Sequence, residues 1–198
     1  MNQQIELYPM RHEQFLKQGI IDLLNWSAEK LHLKNSEQLI HLHALEVGSY
    51  AGESANIMAP YFCTFSCCDP WLDNYDPNDV AATFAPMNAV EQAFDKVQYA
   101  HRNIVKHKKT SDDLWSYLRT FSAKRMFRFV YIDGMHTYEQ VKKDIIGCQE
   151  FMKEGFCIIS GHDYQQENWP QVVQAIHETV GTPDATFCDT SWAKVVLI

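Results

Sequence analysis

Five polar side chains that could do chemistry, carboxylates and imidazoles, stand at the ends of apolar runs: Asp69, Asp133, His136, His162 and Asp163. They follow two glycines, Gly48 and Gly52, in the stretch ALEVGSYAGES, Ala44 to Ser54. Glycines at a strand-to-helix turn carry no Cβ and let a ligand approach the backbone. The N–H groups of the helix that follows are unpaired and ready for a ligand. Such a turn holds a nucleoside-bearing cofactor in a doubly wound sheet. Asp69 lies about 20 residues on, where an acid can accept hydrogen bonds from both ribose hydroxyls. Asp133 with His136, and His162 with Asp163, put carboxylates and imidazoles at two further strand ends. Each also has a plainer reading, since an Asp at a strand end is often a helix cap and a lone His is often a satisfied surface or core group. The convergence of four strand ends bearing carboxylates and imidazoles favours a site.

The elements that must position these residues follow from periodicity. Phe15, Ile20, Leu23, Leu24, Ala28 and Leu31 recur at helical spacing within Glu13 to Leu33, and Ser36 to Leu42 is a second amphipathic piece. Apolar runs predict strands at Ala44 to Val47, Thr64 to Cys68, Ile104 to Lys106, Phe127 to Ile132 and Phe156 to Ser160. Helices are expected at Glu53 to Met58, Asn88 to Ala100, from Ser111 with Leu114, Leu118 and Phe121 inward, Thr137 to Lys153 closed by Gly155, and Trp169 to Val180 closed by Gly181. Thr186 to Cys188 and Ala193 to Ile198 read as closing strands, antiparallel at one edge. Alternating strands and helices specify α/β architecture: a Rossmann-like doubly wound sheet of about seven strands, mostly parallel, with helices on both faces. The expected organisation is one domain over 1–198, with N-terminal helices over 1–42 and the core over 43–198. The stretch Leu72 to Met87, rich in Asp, Asn and Pro, reads as a long loop and candidate lid. It lacks the glycine and terminal Glu of a calcium loop.

Composition narrows the function classes. The 198 residues are 46% hydrophobic, enough for a sizeable core, and carry a net charge of -8. No basic stripe is present to neutralise phosphates, so nucleic acid and anionic membrane are not expected partners. The run Lys106, His107, Lys108, Lys109 reads as a solvated loop. No stretch approaches the ~20 apolar residues of a membrane span, and the N-terminus lacks a signal-peptide pattern. Six cysteines without a C-x-x-C pair suggest buried reduced thiols and a cytoplasmic protein.

The sequence ALEVGSYAGESANIMA resembles the first motif of class I S-adenosylmethionine-dependent methyltransferases, in a form close to that of catechol O-methyltransferases. FVYIDGMHTYEQVKKDI and GFCIISGHDY resemble segments of methyltransferase family 24, related to sugar and macrolide O-methyltransferases; the likeness spans about Leu42 to Tyr164. The resemblance implies S-adenosyl-L-methionine as cofactor, with Glu46, Gly48, Ser49, Tyr50, Gly52 and Ser54 around its methionine part. It implies Asp69 on the ribose, Pro70 and Trp71 beside the adenine, and Ser111 and Asp112 on the adenine edge. Asp133, His162 and Asp163 fall where relatives hold a divalent metal such as magnesium. His162 departs from the usual carboxylate or amide there, and imidazole suits zinc, iron or nickel better. His136 falls at the general-base position, and a ring titrating near neutrality could take a hydroxyl proton.

The reading that follows is O-methylation of a hydroxyl on a small molecule or sugar unit, catalysed by His136 and Asp133. Two alternatives stand beside it: a metal-independent methyltransferase, and a cofactor-binding protein without turnover. A nicotinamide dehydrogenase is disfavoured, because Tyr50 occupies the middle glycine position of G-x-G-x-x-G. The acceptor-facing aromatics could include Trp71, Tyr75, Phe84, Tyr164 and Trp169, and the terminal segments are candidate homodimer surfaces.

Overall fold

The computed structural model describes residues 13–76, 83–120 and 126–198. Among them, seven strands form one sheet in the order β3-β2-β1-β4-β5-β7-β6. The strands are β1 (His43–Val47), β2 (Thr64–Asp69), β3 (Ile104–Lys108), β4 (Phe129–Ile132), β5 (Phe156–Gly161), β6 (Ala185–Thr186) and β7 (Trp192–Leu197). The first five are mutually parallel, while β7 runs antiparallel to β5 and to β6. The helices are α1 (Glu13–Lys30), α2 (Glu53–Met58), α3 (Met87–Ala100), α4 (Ser111–Thr120), α5 (Tyr138–Gln149) and α6 (Pro170–Thr179), with a 3-10 turn at Ser36–His41. The expected Rossmann-like sheet with an antiparallel edge is what forms. None of the described helices is long and apolar enough to cross a membrane.

Strand side chains alternate between two cores, as a pleat of period two requires. Ala44, Phe129 and Tyr131 join α1, α2 and α3 on one face. Leu45, Val47, Val130 and Ile132 join α4, α5 and α6 on the other. Burial on both faces explains the near-continuous apolar runs of β4 and β5. The chain steps outward from β1 through β2 to β3, then returns to place β4 on the other side of β1. That reversal opens a crevice beyond the carboxyl ends of β1 and β4.

Several local expectations need correction. On α1, Leu16 is buried and Phe15 is 54% exposed, so the inward stripe starts one residue later. Edge strand β3 runs on past Lys106 to Lys108, so most of the basic run is strand and not loop, and Lys106 and Lys108 pair with Glu91 and Asp95 at 2.6–2.7 Å. The helix from Thr137 stops at Gln149, because Met152 leaves it to bridge Phe127 beside β4. Gly155, with φ +98, therefore turns the chain into β5 and does not close a helix. Phe121 lies outside the described residues, as does 77–82 of the candidate lid. Cys67, Cys68, Cys148 and Cys157 are buried free thiols, whereas Cys63 and Cys188 are exposed.

Candidate active site

A cavity of about 430 Å³ opens beyond the ends of β1 to β5. That size suits a nucleoside-bearing ligand. Its first half is built largely from backbone. Asp69 ends β2; its Oδ2 accepts the Tyr50 N–H at 2.9 Å and its Oδ1 the Trp71 N–H at 2.7 Å. The Trp71 indole Nε1 donates to the Tyr50 carbonyl at 2.8 Å. Tyr50 and Trp71 hold left-handed φ values of 42° and 44°, so these bonds fix two unfavourable conformations. The Ser49 N–H also turns to Asp69, which leaves about one of the carboxylate's roughly four acceptor lone pairs for a ligand.

The glycines serve a purpose the sequence did not reveal. A Cβ at Gly48 (φ +83) would lie 1.9 Å from the Asp133 carbonyl oxygen. One at Gly52 (φ +91) would meet Phe94 and Val97 at 3.1 Å. Both absences admit the protein's own packing. Gly48 also borders the cavity; Gly52 does not.

Glu46 is fully buried beneath this turn, and Ser54 Oγ donates to its Oε1 at 2.5 Å. Burial pushes its carboxyl up to about 7, with Ser54 and Ser49 pulling it back. Its Oε2 closes no well-formed hydrogen bond among the described residues. Ser49, Tyr50, Ser54, Asp69, Pro70 and Ser111 line the cavity as expected. Trp71 does not: it packs against Phe94 with ring centroids 4.8 Å apart, and Leu72 and Tyr75 form that wall. Asp112 turns outward to Lys143 at 3.3 Å. In its place α5 supplies Gln140 and Asp144, which flank the helix's apolar face. Burial raises the Asp144 carboxyl to about 6, against hydrogen bonds from Ser111 and Gln140. Glu53 from α2 also lines the cavity, its carboxyl raised by burial.

The second half is built from charge. His136 Nε2 lies 2.7 Å from Asp163 Oδ2 and 3.8 Å from Asp133 Oδ1, and its Nδ1 lies 3.7 Å from Asp76 Oδ2. The ring stacks on Trp169 with centroids 4.3 Å apart. Burial opposes its charge, but Asp133, Asp163 and Asp76 prevail and raise its pKa to about 12. Three carboxylates thus favour the charged ring, above the near-neutral range expected from the sequence. His162 Nδ1 lies 3.3 Å from Asp163 and 3.9 Å from Asp133, and these acids outweigh burial to raise it to about 9. Asp163 sits at φ +61, backbone strain of the kind stored at functional sites. Asp76 also accepts the His136 backbone N–H at 3.2 Å, tying the segment after β2 across the cavity.

Asp133, His136 and Asp163 bring ligand atoms within 4.8 Å of one another. Among the described residues His136 thus takes the place anticipated for His162. Ligand atoms around a divalent ion stand roughly 3 Å apart, so small adjustments would admit one. Two carboxylates and an imidazole suit zinc, manganese or iron better than magnesium. Asp76, Lys109, Gln140 and Asp144 were not anticipated. Only the polar pair Gln140 and Asp144, four apart beside an apolar helix face, left a readable signal.

Residues 45–164 match the family model for a methyltransferase domain, methyltransferase family 24. The chain belongs to that family. It is a class I S-adenosylmethionine-dependent methyltransferase. No curated protein matches it by sequence. Solved structures share its fold. An O-methyltransferase from Bacillus cereus, solved with S-adenosylhomocysteine, superposes with TM-score 0.59 at 9% identity, covering 99% of this chain and 84% of that one. The O-methyltransferase of tomaymycin synthesis from Streptomyces achromogenes, with S-adenosylmethionine, gives 0.57 at 10%, covering 90% and 89%. A TDP-rhamnose 3′-O-methyltransferase of calicheamicin biosynthesis gives 0.57 at 13%, covering 94% and 80%.

Proposed function

We propose that the protein methylates a hydroxyl oxygen of a small molecule or sugar unit. The observation that carries this reading is the cluster of Asp133, His136 and Asp163 at the ends of β4 and β5, sharing one cavity with the glycine turn and Asp69. When bound, S-adenosylmethionine supplies an electrophilic sulfonium methyl. Ser49, Tyr50 and Ser54 would hold its methionine part, and Asp69 its ribose. Glu53, Asp69 and Asp133 give that half of the cavity a negative potential that favours a cationic ligand. Two solved structures of the same fold hold S-adenosylhomocysteine or S-adenosylmethionine, which supports the assignment.

On the acceptor side, His136 is held by Asp163 and stacked on Trp169, so its Nε2 is fixed relative to the cavity. Trp169 and Asp76 line the cavity beside His136. The proton leaving the acceptor hydroxyl must pass into the His136–Asp163–Asp133 cluster, and His136 can take it only from a state in which its ring is neutral. A divalent cation held by Asp133, His136 and Asp163 would lower a chelated hydroxyl's pKa.

A metal-independent reaction is the second reading. It is favoured by the direct contacts of the two imidazoles with the acids, His136 to Asp163 at 2.7 Å and His162 to Asp163 at 3.3 Å. The test is S-adenosylhomocysteine formation on a panel of catechols and sugar nucleotides, with Mn²⁺, Zn²⁺ or Mg²⁺ and with chelator. Turnover abolished by chelator and restored by Mn²⁺ or Zn²⁺ supports metal assistance; chelator-resistant turnover supports the second reading. Cofactor binding without turnover on any hydroxyl would sink both.

A further inference from the structure

Resting on the cofactor reading above, we propose that Asp144 is the acceptor that recognises the 6-amino group of the cofactor's adenine, with Gln140 and Ser111 holding it in place. Asp144 projects from the middle of α5 to the cavity wall and is 1% exposed. The donors that reach its carboxylate, Gln140 and Ser111, are neutral. Gln140 Nε2 donates to Asp144 Oδ1 at 3.0 Å and to Ser111 Oγ at 2.9 Å. The Trp115 indole N–H approaches but closes no hydrogen bond. The carboxylate thus retains acceptor capacity at the cavity edge.

Burying a carboxylate without a cation is costly, and among the described residues no cation pairs with Asp144. A ligand carrying an N–H donor would. The adenine edge offers that donor in its 6-amino group. Hypoxanthine presents a carbonyl oxygen at the same position, which a carboxylate repels. The double contact also fixes the Gln140 amide, since the flipped orientation would set its oxygen against the carboxylate. Asp112, the residue that the family resemblance puts at the adenine edge, has a side chain 54% exposed and paired with Lys143. Asp144 is the acid left facing the cavity at this end.

The experiment is calorimetric titration of three ligands: S-adenosylhomocysteine, its 6-oxo analogue S-inosylhomocysteine, and the analogue with hydrogen in place of the 6-amino group. Wild-type protein should bind the 6-hydrogen analogue roughly tenfold, and the 6-oxo analogue roughly 100-fold, more weakly than S-adenosylhomocysteine. In Asp144→Asn, whose amide can donate to a carbonyl, the preference over the 6-oxo analogue should shrink to about threefold or less. Equal wild-type affinity for the 6-amino and 6-hydrogen ligands would overturn the proposal whether or not the variant folds. So would a common loss factor for all three ligands in Asp144→Asn, which marks a packing role. Absence of S-adenosylhomocysteine binding by wild-type protein would overturn the cofactor reading, and this inference with it.

Discussion

The two halves of the cavity are held by different forces. Around Gly48 and Asp69 the chain is stitched by neutral backbone N–H groups onto one carboxylate, at 2.7 and 2.9 Å. Around His136 it is held by imidazolium–carboxylate contacts, from 2.7 Å to Asp163 out to 3.8 Å to Asp133. The first arrangement is set by backbone geometry, with burial raising the Asp69 carboxyl and the N–H groups it accepts holding it down. The second depends on the charge of every member, so protons, metal ions and substrate all act on it. The cofactor half is therefore preorganised, and the acceptor half is responsive. Substitutions in the first should alter binding and stability together. Substitutions in the second should alter turnover alone.

The largest effect is expected at Gly48. A Cβ there meets backbone of β4's end at 1.9 Å, in a left-handed conformation, and neither strand can retreat without leaving the sheet. Gly48→Ala should cost more than about 3 kcal/mol and lower the melting temperature by roughly 10 °C. S-adenosylhomocysteine affinity should fall with it. Gly181 is the control: its φ is +79, but nothing lies within 4 Å of a Cβ. Gly181→Ala should cost only about 1–2 kcal/mol. Equal melting shifts for the two variants would remove the steric argument.

His136→Ala probes the other half. Turnover should drop roughly 10²–10⁴-fold, while the dissociation constant for S-adenosylhomocysteine stays within about threefold. If cofactor binding collapses instead, His136 is a structural or cofactor-contacting group and the two halves are not separable.

Glu46 links the halves to pH. Its folded pKa of about 7 lies above the ordinary 4.5, so the folded state prefers the protonated carboxyl. Stability is unpenalised below the unfolded value and is lost as pH rises through the folded one. Glu46→Gln in the ligand-free protein should therefore stabilise by up to about 3 kcal/mol at pH 8. The gain should fall below about 1 kcal/mol at pH 5. A pH-independent effect on melting would show that Glu46 stays ionised in the fold.

The parallel strands were legible because burial on both faces writes apolar runs, ending at Gly48, Asp69, Asp133 and Gly161. β3 was half hidden: an edge strand tolerates Lys106 and Lys108, whose charges find Glu91 and Asp95 on α3. The site residues at strand ends were legible for the same reason as the strands. Asp76 was not, since it reaches His136 from 60 residues away. Nor was the protonation of His136, which depends on three carboxylates from separate segments. Trp71 was misplaced because adjacency to Asp69 does not say which way a side chain turns at φ +44.

Trp71 also supplies the smallest and most discriminating effect. Its indole closes a 2.8 Å bond to the Tyr50 carbonyl while its ring packs on Phe94, under Lys106 Nζ at 4.7 Å. Trp71→Phe keeps an aromatic ring in the core but deletes the N–H. Losing one hydrogen bond to a strained turn should destabilise by about 1 kcal/mol, a melting shift of roughly 2–4 °C. S-adenosylhomocysteine affinity should weaken by less than about fivefold, since the Asp69 bonds still hold the turn. Were Trp71 instead stacked on the adenine, the ranking would reverse: affinity would fall by an order of magnitude or more, and melting of the ligand-free protein would hardly move. Measuring both quantities on one variant separates a tryptophan that builds the cofactor half from one that touches the cofactor.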